Sequence, residues 1–290
     1  MRPENHAAGQ AGPGSGPGRR PLDQAALRHA VVRPGSLWRD VEVTAVTGST
    51  NADLLARAAD GAPEGIVLAA EEQSAGRGRM GRAWVSPPRA ALTFSVLLRP
   101  GTVPPARRGW LPLLAGVAVA TAVRAATAVD ARLKWPNDVL VRDAKLAGIL
   151  AEAAAGAVVV GIGLNVSTEP DELPPVGPDP GGPAGPLAAT SLRAAGASVL
   201  DRDLLLTGIL GQLEHWYVAW RRAGGDPRRC GLTEEYVRLC GTIGRPVRVE
   251  LPGGRLIEGP AAAIDPAGRL LVRLPDGELP VAAGDVVHVR

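Results

Sequence analysis

Lysine is almost missing from this sequence. Its 290 residues include 32 basic side chains, of which only Lys134 and Lys145 are lysines; every other is arginine. An ammonium is a compact point charge with rotatable donors, whereas guanidinium is a planar fork. A composition bias that merely spared two lysines would scatter them. Both instead lie in one segment, Leu133–Glu152 (LKWPNDVLVRDAKLAGILAE), where a small cation would meet a carboxylate or phosphate.

Cysteine is nearly as scarce. Cys230 and Cys240 have neither metal-ligand spacing nor a cluster of histidines beside them, so they read as reduced structural thiols of a cytosolic protein. Long hydrophobic runs are missing too. The longest, Leu111–Val123, is too short to cross a bilayer and reads as a buried helix, so no membrane partner is expected. Met1–Pro21 is rich in Gly and Pro and has no apolar stretch of the kind a signal peptide needs. Residues 1–22 therefore read as a disordered tail. The pI is near 9.3, but the net charge is only +3, and arginines nearly balanced by acids do not require nucleic acid as a partner.

What remains is 46% hydrophobic, enough for one large domain or two unequal ones. Ser49 or Thr50 caps a helix that ends at Gly61. Gly65–Glu71 and Ala91–Arg99 read as strands around a Gly- and Arg-rich loop, Ser74–Arg82. Trp110–Val129 is an apolar helix. Short strands follow at Ala131–Lys134, Val139–Arg142, Leu146–Ala155 and Ala157–Gly161. Leu173–Leu187 is a Pro/Gly surface loop. In Asp201–Arg222, Leu205, Ile209, Leu213, Trp216 and Trp220 form an apolar helical stripe, and a short helix lies near Glu234–Cys240. From Gly244 to Arg290 the β-type runs VRVEL, LLVRL and VVHV alternate with turn residues, which predicts a small all-β barrel.

Three segments carry chemistry. Gly76–Trp84 (GRGRMGRAW) matches G-x-G-x-x-G, yet Pro87 and Pro88 follow where a dinucleotide motif needs a helix, and the Lys-Ser/Thr of a P-loop is absent. Its glycines permit close backbone approach, and Arg77, Arg79 and Arg82 bring charge-assisted donors. Such a loop suits a phosphate or acyl phosphate; a solvated basic loop or a nucleic-acid contact fits the same residues. Lys134-Trp-Pro-Asn-Asp138 combines a cation with oxygen ligands, as a nucleotide phosphate and its Mg²⁺ require, but an ordinary turn has the same composition. Gly161-Ile-Gly-Leu-Asn165 puts an Asn just past a strand end.

Taken together, Gly48-Ser-Thr-Asn51, Glu72–Trp84, Lys134–Asp138, Lys145–Glu152, Gly161–Asn165 and Ala189-Thr-Ser-Leu192 resemble the biotin protein ligases in order and spacing, from about Thr44 to the C-terminus. The resemblance implies an α+β fold: a catalytic domain over 23–240 with a central mixed β-sheet packed with helices, then a small SH3-like β-barrel over 241–290. It implies two steps. Biotin and ATP give biotinyl-5′-AMP, and a carrier-protein lysine then displaces AMP. Ser49, Thr50, Asn51 and Gln73 would line the biotin pocket, with Gly148 and Gly163 as backbone contacts. Arg77, Gly78 and Arg79 would order over the carboxylate and the adenylate phosphate. Arg82, Trp84, Asn137 and Asn165 would lie on the nucleotide side. Lys145 and Lys134 would serve the reacting anions, and Asp138 would hold Mg²⁺ or orient the incoming amine.

The expected partner is a biotin carboxyl carrier domain of an acetyl-CoA/acyl-CoA carboxylase or of pyruvate carboxylase. About forty residues precede the Gly48 motif, too few for the DNA-binding winged helix that some members carry, so a ligase without a nucleic-acid role is expected, in the cytoplasm. The alternatives are a lipoate ligase or octanoyl transferase on the same fold, and a biotin-responsive repressor.

Overall fold

A computed structural model describes residues 18–174, 187–251, 254–282 and 285–288. In chain order the helices are α1 (Gln24–Val31), α2 (Thr50–Ala59), α3 (Trp110–Thr127), α4 (Arg202–Arg222) and α5 (Leu232–Leu239). The first seven strands are β1 (Asp40–Thr47), β2 (Ile66–Gln73), β3 (Ala91–Leu98), β4 (Ala131–Lys134), β5 (Asp138–Val141), β6 (Ala144–Ala154) and β7 (Ala157–Asn165). They form one sheet in the order β1-β2-β3-β7-β6-β5-β4. Only β1 and β2 run parallel, because α2 carries the chain back between them; every other neighbour is antiparallel.

Helices cover both faces. On one side α2 sets Leu54 and Ala58 against Leu68, Leu97, Ala157 and Val159. On the other, α3 packs against α4 and α5 and over β4, β5 and β6. Covered on both faces, β3 is buried throughout, which is why its sequence is an unbroken apolar run instead of an alternation. By length and composition α3 would pass for a membrane span, but most of its residues are buried inside this core.

The remaining strands, β8 (Pro246–Glu250), β9 (Leu256–Ile264), β10 (Leu270–Leu274), β11 (Gly277–Val281) and β12 (Asp285–His288), form an antiparallel sheet in the order β11-β10-β9-β8-β12. The runs VRVEL, LLVRL and VVHV supply β8, β10 and β12. Rich in Gly, Ala and Pro, β9 and β11 do not read as strands from composition. Two indoles tie this unit to the larger one: Trp110 Nε1 donates to Asp265 O and Trp135 Nε1 to Gly268 O, each at 3.1 Å.

Several expectations need correction. The tail expected over 1–22 lies outside the described residues up to 17, but its last residues are fixed. Arg19 pairs with Glu172 and donates to Ser167 O, and Leu22 is buried with its N–H on Glu71 Oε1 at 2.6 Å. Arg202 Nη1 reaches Glu71 Oε2 at 2.6 Å and its Nη2 reaches Arg20 O, so a buried ion pair, invisible to local sequence, holds the segment. Strand β1 was not expected from sequence. In α4 the fully buried aromatic beside Trp220 is Tyr217, four residues after Leu213; Trp216 is only partly buried. Finally, β7 continues through Asn165, so that residue ends the strand instead of following it.

Candidate active site

The site is laid out along rows of the large sheet. Opposed residues project to the same face, so the register decides what meets what. One row runs Ala70, Thr93, Gly163, Gly148, Asp138, Lys134 across six strands. The next runs Leu68, Ser95, Gly161, Leu150. The three glycines leave a floor without side chains on the face that carries α2. A Cβ on Gly161 would fall 2.2 Å from Asn51 Oδ1, and one on Gly163 would fall 2.3 Å from the Trp84 indole. Only glycine lets Asn51 and Trp84 lie on the sheet.

Above this floor is a cavity of about 800 Å³, within the range of small-molecule sites. Of the residues expected from sequence, Ser49, Thr50, Asn51, Gln73, Arg77, Gly78, Arg79, Arg82, Trp84, Lys134, Asn137, Asp138, Lys145, Gly148 and Gly163 all line it. Asn165 does not. Its side chain is buried and donates to Thr190 O at 2.9 Å, while its carbonyl accepts from Leu192 N, so it pins the segment Thr190–Leu192; most of the loop expected over 173–187 lies outside the described residues.

At one end, polar groups form a chain. Ser49 caps α2 by accepting from Ala52 N–H, which puts Thr50 and Asn51 in the first turn. Gln73 Oε1 accepts from Thr50 N–H at 2.8 Å. Ser95 Oγ donates to Asn51 Oδ1 at 2.6 Å. Thr50 Oγ1 donates to Gln73 Oε1 at 3.0 Å and also lies 2.7 Å from Ser95 Oγ, a contact in which either hydroxyl can donate. Asn51 Nδ2 donates to Glu152 Oε2 and to Leu150 O. Ser95 and Glu152 were not singled out from sequence. Two hydroxyls, Thr93 and Ser95, two residues apart inside the apolar run ALTFSVLLR were the available signal for Ser95.

At the other end, cations converge. The loop after β2 is a small hairpin: Arg77 bridges Ala83, Gly78 N–H donates to Arg82 O at 2.7 Å, and Trp84 N–H to Gly76 O at 2.9 Å. Arg79 Nη1 reaches Asn137 Oδ1 at 3.1 Å, and Asn137 is itself clamped to Ile149 through both its backbone and its amide. The loop is thus latched to the β4–β5 turn. Lys145 Nζ lies 2.7 Å from Asp138 Oδ1, a close ion pair set off the hydrogen-bond direction. Lys134 is buried at the edge of the same cavity.

The small domain completes the wall. Arg245, Val286, Val287 and His288 line the cavity, and none of them was expected from sequence. His288 has its pKa pushed down to about 4, chiefly by burial and then by the charges of Lys134 and Arg245, with Asp143 opposing them.

The residues do not fit a resident magnesium site. Asp138 already faces Lys145, and among the described residues no group of three His, Cys, Asp or Glu side chains could hold an ion.

Known proteins match both units of the chain. Residues 43–169 match the Biotin/lipoate A/B protein ligase family, and residues 242–289 match the Biotin protein ligase C terminal domain. The biotin--[acetyl-CoA-carboxylase] ligase of Mycobacterium tuberculosis is 48% identical over 94% of this chain and 97% of its own.

The chain belongs to the biotin protein ligases.

Within that family it is also similar to the bifunctional ligase/repressor BirA of Bacillus subtilis, at 33% identity over 83% of this chain and 71% of the relative. Among solved structures, the biotin protein ligase from Aquifex aeolicus in complex with biotin and ATP superposes with a TM-score of 0.68 at 25% identity, covering 87% of this chain and all of that one. The mixed sheet and the antiparallel C-terminal unit are therefore the family fold.

Proposed function

We propose that this chain activates biotin with ATP and transfers it to a lysine of a biotin carboxyl carrier domain. The observation that carries the reading is one cavity with a neutral hydrogen-bonding end, a glycine floor and a cationic end. A neutral ring with amide-like groups suits the Thr50–Ser95–Asn51 chain, and the two anions of the reaction suit the arginines and lysines.

In the first step a carboxylate oxygen of biotin attacks the α-phosphorus of ATP. The bond from that phosphorus to the pyrophosphate oxygen breaks, leaving biotinyl-5′-AMP. Two anions must approach each other, so fixed positive charge is the main requirement. Lys145 and Arg79 serve the carboxylate and α-phosphate, with Lys134 beside them and Arg77 and Arg82 closing the loop above. Trp84 and Asn137 face the nucleotide, and the buried Trp84 Nε1–H, which makes no hydrogen bond among the described residues, is a donor kept for ligand. Mg²⁺ arrives in this reading as the counter-ion of the ATP phosphates. In the second step the acceptor amine attacks the acyl carbon. A C–N bond forms, the anhydride C–O bond breaks and AMP leaves. Asp138, paired with Lys145, is in this reading the group that takes that amine's proton.

The acceptor is the carrier domain of an acetyl-CoA or acyl-CoA carboxylase, or of pyruvate carboxylase, in the cytoplasm. Mass spectrometry of a carrier domain incubated with the protein, ATP, Mg²⁺ and biotin is the test. Biotin on one lysine is the expected result. Thermal stabilisation by lipoate in place of biotin would transfer the reading to the lipoate ligases.

A further inference from the structure

His288 lies on the last described strand, far in sequence from every motif, yet it stands against the Lys134–Asp138 turn. The link is short. Trp135 N–H donates to Thr242 Oγ1 at 3.1 Å, and Thr242 Oγ1 lies 3.0 Å from His288 Nε2. Thr242 is fully buried. Its oxygen accepts from Trp135, and its single proton is left for the ring nitrogen. Nearby, Gly241 N–H donates to Leu133 O at 2.8 Å, and Cys240 bridges Leu133 in parallel. The backbone on both sides of Lys134 is therefore held by the chain entering the small domain. Toward the cavity, the same turn carries Asn137 to Arg79 and Asp138 to Lys145.

We infer that His288 is a positioning residue for the cationic end of the active site, acting through the Thr242 hydroxyl on the backbone of Trp135 and so on Lys134. The inference rests on the reading of the cavity as the biotin and ATP site. Its geometry asks for a neutral imidazole. A ring protonated on Nε2 as well as Nδ1 would turn the Thr242 contact from acceptor to donor and put a third cation beside Lys134 on β4 and Arg245 on the loop before β8. Asp143, on the β5–β6 turn, is the acidic group facing them. The environment keeps the ring neutral, because burial and those two cations disfavour its charged form.

Four single variants and one double variant test this. His288→Phe keeps ring and bulk but removes the nitrogen. His288→Gln keeps a polar atom within reach of Thr242. Thr242→Val removes the hydroxyl at constant shape, and Thr242→Ser keeps it. The measurements are ATP–pyrophosphate exchange and, separately, biotin affinity without nucleotide by calorimetry. For His288→Phe and Thr242→Val, kcat should fall on the order of ten- to a hundred-fold, the scale of a sub-ångström to ångström misplacement of a reacting group. Biotin affinity should be unchanged, since the Thr50–Ser95–Asn51 end is not touched. His288→Gln and Thr242→Ser should recover most of the rate. The double variant His288→Phe/Thr242→Val should lose no more than either single one, as expected of residues in one chain. Exchange at the wild-type rate in His288→Phe would overturn the inference. So would equal losses in Thr242→Val and Thr242→Ser, a comparison that stands if His288→Phe does not fold. If the wild-type protein itself neither binds biotin nor exchanges pyrophosphate, the reading of the cavity fails, whatever the variants do.

Discussion

Lys145 and Gly148 are three residues apart on β6 and nevertheless share one face of the sheet. A Cβ on Gly148 would lie 3.3 Å from Lys145 Nζ. Regular alternation would put residues separated by three on opposite faces. The register between β5 and β6 shifts at this point: Val139 pairs with Ala147, but Leu140 pairs with Lys145, leaving Leu146 as an extra residue. That bulge turns the lysine over to the side of the cavity. Lys145 N–H and C=O are also bonded to Ala188 and Thr190, so the turned segment is fixed from its far side.

Replacing this lysine by arginine should abolish adenylate formation. The ammonium sits as a point charge 2.7 Å from Asp138 Oδ1, and a planar fork on a longer stem cannot put its charge at that same point. Pyrophosphate exchange in Lys145→Arg should fall by at least about a hundred-fold. A near-wild-type rate would refute the assignment.

The glycine floor makes a second prediction. Gly161→Ala and Gly163→Ala should each weaken biotin or adenylate binding by roughly ten-fold or more, because the added methyl meets Asn51 or Trp84 well inside contact distance. Calorimetry with biotin and with a non-hydrolysable adenylate analogue would separate the two. Unchanged affinity for both ligands in both variants would mean that the floor does not touch them.

A third concerns stability alone. Arg202 and Glu71 are a buried pair that also secures Arg20 and Leu22. Arg202→Met should cost about 3–5 kcal/mol, because it strands a buried carboxylate. Urea denaturation measures this, and protease sensitivity at the N-terminal segment should rise with it. A loss below about 1 kcal/mol, the size expected of an exposed pair, would contradict the burial.

The fourth is a pH dependence. His288 titrates near 4 in the folded chain against an ordinary 6.5, so between those values the unfolded chain binds more protons. Stability contributed by the neutral ring is present above about pH 6.5 and is lost as pH falls toward 4. With a half-exposed ring and solvent screening, the loss is on the order of 1–2 kcal/mol. His288→Gln should flatten this part of the profile between pH 7 and pH 4.5, and an identical profile in that variant would exclude His288 as its source.

Much of this was legible in the sequence because motif residues sit in short segments whose local form is simple. Ser49 caps a helix, the Gly-Arg loop follows a strand, and the turn at Trp135–Asn137 joins two strands. What was not legible depends on partners distant in the chain. Ser95 reads as a strand residue until the register sets it beside Gly161. Arg245 and His288 look like surface positions of a separate small domain until that domain docks on Trp135. Asn165 carried the right residue type for a ligand contact, but its amide is taken by Thr190, a partner 25 residues further along the chain. The bulge at Leu146 is likewise a matter of pairing, since nothing in Lys-Leu-Ala-Gly announces an extra residue.

The row Thr93, Gly163, Gly148, Asp138, Lys134 spans five adjacent strands with no loop residue in it. Its placement is therefore quantised. A slip of one residue in β6 or β7 exchanges faces and sets Ile149 or Ile162, now in the core, where the floor is glycine. A misregistered chain would have no open cavity at all, so it would be inert, without the altered ligand choice that a shifted loop could produce. Selectivity can drift in the Gly-Arg hairpin above, while the sheet below admits only a working arrangement or none.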